Sequence, residues 1–370
     1  MEEIYKFYDE LGPLKVIHVH EPSVGLKAVL VVDNVARGPS IGGLRMAPDV
    51  STEECFRLAR AMTFKNAAAG IPHGGGKSVI YGDPKMPQKQ KEKLIRTLAR
   101  ALEGETHYIF GPDMGTNEEC MAWVKDEINR SVGLPREIGG IPLDVIGATG
   151  FGIYHVIDVA MPFCDFDIDG ARVAVQGFGA VGMNAARFLA EKGARLVAAA
   201  DSQGTIHHRK GLDVAELIRL KKEGKSVVEF KGGKASDREA IIGVECDIWI
   251  PAARPDVVNE KNVDQMKTRL VVQGANIPLT SGAEKYLYDR NVLCIPDFIA
   301  NAGGVICAAM EYRGMSETAT LQVIEEKLRR NTALVLEESA EKGIMPRQAA
   351  ESLARRRLEK AMSLRRLNLF

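Results

Sequence analysis

The sequence predicts an α/β protein of two domains, one of them built on a doubly wound parallel sheet. Three observations predict it. At 370 residues the chain is longer than one hydrophobic core usually organises. Between residues 172 and 295 short apolar runs alternate with helical patterns, the signature of strand–helix–strand units. A glycine turn, Gly177-Phe-Gly-Ala-Val-Gly182, joins one of those strands to the helix after it.

Taken in order, Leu14-Lys-Val-Ile-His-Val-His20 and Lys27-Ala-Val-Leu-Val-Val-Asp33 read as strands, the first partly alternating and the second buried. Ser51-Thr-Glu-Glu54 is a capping box, and it opens a helix with apolar positions at Phe56, Ala59 and Met62. That helix is expected to end near Gly70-Ile-Pro72, which puts Lys65 close to its C-terminus. Ser78-Val-Ile-Tyr81 and His107-Tyr-Ile-Phe110 read as short strands with a helix over about 86–103 between them. Lys77 then leads into one strand and Asp113 follows the other. Thr149 is placed as the cap of a helix running to about 160. Strand Arg172–Gln176, the glycine turn, a helix through Lys192 and strand Arg195–Ala200 follow. Asp247–Ile250, Arg269–Val272 and Val292–Ile295 are further strands, with a helix over Ser281–Arg290 between the last two. After Gly303-Gly304 the pattern is helical. Leu321, Ile324, Leu328 and Leu336 mark one long helix and Ala349–Leu367 a second, both expected to pack back across the first domain, with Arg355-Arg-Arg357 on a solvated face.

Composition narrows the class. Lys plus Arg and Asp plus Glu number 49 each, so the chain is formally neutral, which argues against a nucleic-acid or anionic-membrane surface. The 6 cysteines are scattered without CxxC or zinc spacing and read as buried free thiols of a reducing compartment. The N-terminus lacks a signal pattern and no apolar run is read as membrane-spanning, so a soluble, cytoplasmic protein is expected. The histidines show no ligand spacing, and no metal is predicted.

GxGxxG alone is a weak signal, but this one follows a strand, opens a helix and has Asp201 at the end of the next strand. A dinucleotide needs that arrangement: glycines for a tight turn and close approach of the pyrophosphate, a helix N-terminus to bind it, and an acid for the ribose 2′-hydroxyl. The predicted contacts are Gly177, Phe178, Gly179, Ala180, Val181, Gly182 and Asp201. Asp201 would repel a 2′-phosphate and so favours NAD, while Arg209 and Lys210 nearby leave NADP open.

Lys65 and Lys77, with Asp113 beyond them, suit a site that grips a carboxylate and moves protons. A lysine partly desolvated beside a second ammonium has its pKa lowered toward working pH. Gly76-Lys77-Ser78 superficially matches the end of a phosphate-binding loop, but that motif needs glycine where Ile71 stands. Carboxylate grip, acid–base pair and hydride carrier together indicate an oxidoreductase acting on an amino acid.

Across nearly its whole length the chain resembles the glutamate/leucine/phenylalanine/valine dehydrogenase family. The resemblance is carried by Gly38-Pro-Ser-Ile-Gly-Gly-Leu-Arg-Met46, Met62-Thr-Phe-Lys-Asn66, Gly74-Gly-Gly-Lys77, Pro112-Asp-Met-Gly-Thr-Asn117, Ala148-Thr-Gly150, the glycine turn, Gly274-Ala-Asn276 and Asn301-Ala-Gly-Gly304. It implies that Lys65 binds the substrate α-carboxylate, that Lys77 activates water and polarises the carbonyl, and that Asp113 relays protons to and from the amine. It implies that Thr149, Asn276 and Asn301 contact the nicotinamide half of the cofactor. Substrate contacts are expected at Gly43, Ile41, Met62, Pro112 and Ala308. The fold implied is a substrate domain, 1–147 completed by helices in 305–370, with a Rossmann-like domain, 148–304, inserted. A dimer-based homo-oligomer, a hexamer or octamer, is also implied. The glutamate-specific members carry a lysine, a glutamine and a serine where this chain has Ile41, Met62 and Ala308. Burying a distal carboxylate against these would cost several kcal/mol, so an apolar substrate such as leucine, valine or phenylalanine is expected. Pro112-Asp-Met-Gly-Thr-Asn117 and Gly274-Ala-Asn276 look more like the glutamate branch, so a glutamate dehydrogenase with a rebuilt distal site is the alternative. A regulatory protein that binds the dinucleotide without catalysis is a third reading, opposed by the retention of Lys65, Lys77 and Asp113.

Overall fold

The computed structural model describes residues 3–365, so the expected last residues of the C-terminal helix, Arg366 and Leu367, lie outside the described residues. The chain divides into two compact units. The first holds the chain up to Pro142, Val305–Thr320 and the chain from Leu353 onward; the second holds Leu143–Gly304 and Leu321–Ser352.

The first unit runs β1 (Lys15–Glu21), β2 (Leu26–Asn34), β3 (Ser40–Ala47), α1 (Thr52–Ala69), β4 (Gly74–Tyr81), α2 (Gln88–Ala101), β5 (Tyr108–Pro112) and α3 (Glu118–Ile128). Its five-stranded sheet has the order β1-β2-β4-β3-β5, with β4, β3 and β5 parallel and β1 and β2 antiparallel. The alternation of strand side chains decides how the helices cover it. Val29, Val31 and Val79 pack on Cys55, Phe56 and Ala59 of α1. Leu30, Val32, Leu44 and Ile80 instead join Ile95 and Leu98 of α2 and Met121 and Val124 of α3. Each such side chain, fully buried, contributes about 1.5–3 kcal/mol. Ser51 caps α1 as its sequence implies, its Oγ accepting the Glu54 N–H at 3.0 Å. At the other end Arg357 donates to the carbonyls of Ala67 and Ala68, at 3.2 and 2.7 Å. Of the arginine cluster expected on a solvated face, Arg355 and Arg356 are exposed, whereas Arg357 is drawn in by these unpaired helix-end carbonyls.

The second unit begins with α4 (Leu143–Ile146) and α5 (Ala148–Ala160) and continues β6 (Arg172–Gln176), α6 (Ala180–Ala190), β7 (Arg195–Ala200), β8 (Thr205–His207), α7 (Val214–Lys222), β9 (Lys234–Ser236), β10 (Ile248–Pro251), β11 (Leu270–Val272), α8 (Ser281–Tyr288), β12 (Leu293–Ile295) and α9 (Asp297–Ala300). Beyond lie α10 (Gly303–Tyr312), α11 (Glu317–Lys342) and α12 (Pro346–Ser363). The sheet order is β12-β11-β10-β6-β7-β8-β9, parallel from β12 to β7, with β8 and β9 antiparallel. The chain leaves β6 toward β7 on one side and returns to β10 on the other. The carboxyl end of β6 is therefore the switch point where such sheets hold ligands.

Three expectations are corrected here. Gly147, in the left-handed region, is the N-cap of α5, and Thr149 is already helical. The run Leu143–Phe163 is long and apolar enough to cross a membrane by composition, although none was expected; α5 buries Ile153, Val156 and Ile157 within the unit. Finally, Leu321–Ser352 belongs to the second unit rather than the first. The reason is close packing of α11 on α5, where a Cβ on Gly152 would stand 2.4 Å from Leu328 Cδ1 and Arg329 pairs with Asp158.

Candidate active site

In the first unit, Lys77 lies within β4 and Asp113 immediately after β5, with β3 between the two strands. Lys77 Nζ stands 2.6 Å from Asp113 Oδ2, and the lysine side chain is 7% exposed. Burial pushes Lys77 below the usual lysine range, with the Asp113 carboxylate opposing. Burial alone would raise Asp113, but the Lys77 ammonium and the Arg45 guanidinium outweigh it and hold the carboxyl below the usual range. Arg45 Nε donates to the same Oδ2 at 2.9 Å and also pairs with Glu54. The turn is pinned by Thr116, whose Oγ1 accepts the Asp113 N–H at 3.0 Å and donates to the Leu44 carbonyl at 2.7 Å.

Gly43 closes the site: a Cβ there would lie 2.7 Å from Asp113 Cβ and 3.1 Å from Lys77 Nζ. Lys65, half-buried on α1, sits between two anchors. Thr63 Oγ1 donates to Asp33 Oδ2 at 2.6 Å, and Asn66 Nδ2 donates to the Gly74 carbonyl at 2.7 Å. Ile41 on β3 is 3% exposed, while Met62 on α1, Pro112 at the end of β5 and Ala308 on α10 are half-buried. Arg45 and Thr116, which both touch Asp113, carry no signal of their own in the sequence, although both lie inside segments that carry the resemblance.

The second unit offers the dinucleotide cradle. A Cβ on Gly182 would stand 2.1 Å from the Gly177 carbonyl oxygen, so only glycine lets α6 start this close to β6. Gly179 is the N-cap of α6 and no side chain bonds its first N–H groups, which leaves them for an anion. A Cβ on Gly179 would meet nothing within 4 Å. Phe178, expected at the cofactor, is 1% exposed; its ring is core and only its backbone can reach a ligand. Ala180 and Val181 are half-buried in the first turn of α6. Asn301 Nδ2 donates to Asn276 Oδ1 at 2.9 Å, while Asn301 Oδ1 is buried with no partner among the described residues. A buried acceptor left open is what a carboxamide N–H₂ would satisfy. Thr149 is adjacent, its Oγ1 3.4 Å from where a Cβ on Gly304 would stand.

Asp201 behaves differently from its expected role. Its Oδ2 accepts Lys221 Nζ at 2.8 Å and the Val227 N–H at 3.0 Å; its Oδ1 accepts Ser226 Oγ at 2.9 Å and the Gln203 N–H at 3.0 Å. A carboxylate has about four acceptor sites, and here the chain's own donors fill them.

Comparison with known proteins settles the family. The profile of the glutamate/leucine/phenylalanine/valine dehydrogenases matches residues 139–366, and that of the Glu/Leu/Phe/Val dehydrogenase dimerisation domain matches 13–130. The chain belongs to this family. It is 36% identical over 356 residues to a glutamate dehydrogenase of Aeropyrum pernix, covering 90% of this chain and 85% of that one. An NADP(+)-dependent glutamate dehydrogenase of Pyrobaculum calidifontis is 36% identical over 362 residues, with the same coverage of 90% and 85%. Among solved structures, the hetero-hexameric glutamate dehydrogenase of Thermus thermophilus in its Leu-bound form superimposes with a TM-score of 0.83 at 29% identity, covering 96% of this chain and 90% of that one. The L-tryptophan dehydrogenase of Nostoc punctiforme gives 0.76 at 25% identity, covering 95% and 98%.

Proposed function

We propose that this amino-acid dehydrogenase catalyses the reversible oxidative deamination of an L-amino acid to its 2-oxo acid and ammonia, with Lys77 and Asp113 as the catalytic pair. The observation that carries this is the ion pair built on a buried lysine, with Nζ 2.6 Å from Oδ2, Lys77 within β4 and Asp113 just past β5, meeting across Gly43 of β3. The first unit is the substrate domain, and the second binds the dinucleotide through the Gly177–Gly182 turn, Thr149, Asn276 and Asn301. Bound there, the dinucleotide supplies the hydride acceptor for Cα.

The residues supply the proton chemistry. Lys65 holds the α-carboxylate. Ionised Asp113 takes a proton from the substrate ammonium, so that the nitrogen lone pair can form the C=N bond as hydride leaves Cα. Neutral Lys77 takes a proton from water as its oxygen bonds to that carbon. Asp113 returns a proton to the nitrogen, the C–N bond breaks and ammonia departs, and Asp113, ionised again, takes the hydroxyl proton as the carbonyl forms. The downward shift of the lysine eases its release of a proton to become the base, and that of the carboxyl keeps Asp113 ionised, which suits both roles.

For the substrate, the similarity to glutamate dehydrogenases favours glutamate, its distal carboxylate met by donors other than positions 41, 62 and 308. The apolar reading is second and rests on Ile41, buried on β3 where the glutamate-specific pattern has lysine. For the cofactor, Lys221 offsets the Asp201 charge, so both NAD and NADP are proposed to be accepted. The enzyme is read as a soluble, cytoplasmic homo-oligomer. An amino-acid panel followed by NAD(P)H absorbance with each cofactor tests all of this. Turnover of glutamate is expected. Preference for leucine, valine or phenylalanine by roughly a hundredfold in kcat/KM, about 2.7 kcal/mol, would replace glutamate with the apolar reading. No turnover of any amino acid would overturn the proposal.

A further inference from the structure

Asp113 stands just past Pro112, so whatever sets Pro112 also sets the proton relay. Gly133, in the left-handed region at φ 72, lies so close that a Cβ on it would stand 2.5 Å from Pro112 Cδ. The residues before Gly133 pair with β5: the Phe110 N–H donates to the Arg130 carbonyl at 3.0 Å, and the Val132 N–H to the Phe110 carbonyl at 2.7 Å. The residues from Gly133 on are clasped by Glu311 of α10. Its Oε1 accepts the Gly133 and Leu134 N–H groups at 2.7 and 3.1 Å, and its Oε2 the Ile141 N–H at 2.8 Å. These partners are backbone amides, not cations, and the side chain is 8% exposed. Burial raises its carboxyl above the usual range while the amides oppose. An apolar side chain here would leave those amides buried without acceptors.

We infer that Glu311 is a positioning residue: by clasping residues 133–141 it seats Gly133 on Pro112 and so aligns Asp113 with Lys77. The same clasp fixes α10, which carries Ala308 one turn earlier. This rests on the acid–base reading of Lys77 and Asp113. A misplacement of about 1 Å at reacting groups costs on the order of a hundredfold in rate, so small disturbances of the clasp are visible in kcat.

The test is Glu311→Gln in the full chain. Its amide oxygen can serve one side of the clasp, but its NH₂ then faces an N–H donor. The expected result is a fall of about ten- to a hundredfold in kcat, unchanged NAD(P)H affinity by fluorescence titration, and a displaced pH profile of kcat/KM as the coupling of Asp113 to Lys77 weakens. Gly133→Ala, which presses on Pro112 directly, is expected to give the same signature and carries the test if Glu311→Gln does not fold. Wild-type kcat and pH profile in both variants, beside an inactive Lys77→Ala, overturns the inference and leaves the acid–base reading standing. Loss of kcat in step with loss of cofactor affinity also overturns it, since that marks general damage. An active Lys77→Ala overturns the reading beneath it, and the inference with it.

Discussion

Asp113→Asn keeps the shape of the side chain and removes its charge. In the wild-type site that charge lies 2.6 Å from Lys77 Nζ, on a lysine side chain 7% exposed. Without it the lysine is left with its desolvation and with the neighbouring positive charge of Arg45, both of which push its pKa down and destabilise the ammonium where it stands. Holding an ordinary lysine, of pKa near 10.4, neutral at pH 7 costs about 4.6 kcal/mol. Deprotonation is always open to Lys77, so this figure caps the loss; breaking a buried pair usually costs about 3–5 kcal/mol. Arg45 keeps Glu54 as a partner and adds little. The single variant is therefore expected to lose about 3–4.6 kcal/mol of first-unit stability. Pairing it with Lys77→Met removes the orphaned amine and is expected to restore at least about 2 kcal/mol, while both variants lose turnover by about two to four orders of magnitude. Urea unfolding followed by fluorescence reads this, because Trp123 on α3 reports the first unit. A single variant as stable as wild type, or a double variant no more stable than the single, would refute the reasoning.

Two further outcomes are expected. Raising the pH deprotonates Lys77 and creates the base. Burial lowers its pKa, so kcat/KM for oxidative deamination should climb and level off below the range of an ordinary lysine; a limb at or above that range contradicts the assignment. Asp201→Asn breaks the Lys221 pair and loosens the segment reaching to Val227. It should lower stability while changing the NAD to NADP preference by less than about threefold, because Lys221 already offsets the charge. A switch of tenfold or more would return Asp201 to a direct ribose contact.

Much of this architecture could be read from the sequence, for identifiable reasons. The strands β2, β6 and β7 are dense apolar runs, and α1 announces itself with Ser51 and a bounding Gly70. β3 was hidden because Gly42-Gly43 sits in its middle, and glycine in a strand carries no periodic signal. For the same reason β4 was legible only from Ser78, although it starts at Gly74. β8 and β9 are short edge strands rich in polar residues. The stripe on α11 shows that one face is buried but not which neighbour buries it, so its pattern does not tell the second unit from the first. In the site, Lys77 and Asp113 stood out because they flank apolar strands. Arg45 lies inside a strand that was not recognised, and the clasp of Glu311 joins positions 170 and more residues apart. The two side chains that pair with Asp201 lie 20 and 25 residues downstream, with β8 and part or all of α7 in between and no motif to mark them.

The bond from Arg357 to the end of α1 spans 290 residues. During synthesis, the carbonyls of Ala67 and Ala68 emerge long before the guanidinium that pairs with them. Residues up to Pro142 form most of the first unit, yet Val305–Thr320 and the helix from Leu353 must arrive to complete it. The whole second sheet is made in the interval. The nascent first unit therefore waits with one helix end unpaired and the Glu311 clasp unmade, the circumstance in which aggregation competes with folding. The second unit likewise needs Leu321–Ser352, made after Val305–Thr320. Neither unit can be obtained by cutting the chain once, and a ribosome-bound fragment ending before residue 353 should remain sensitive to proteases in the first unit, one ending before residue 321 in both.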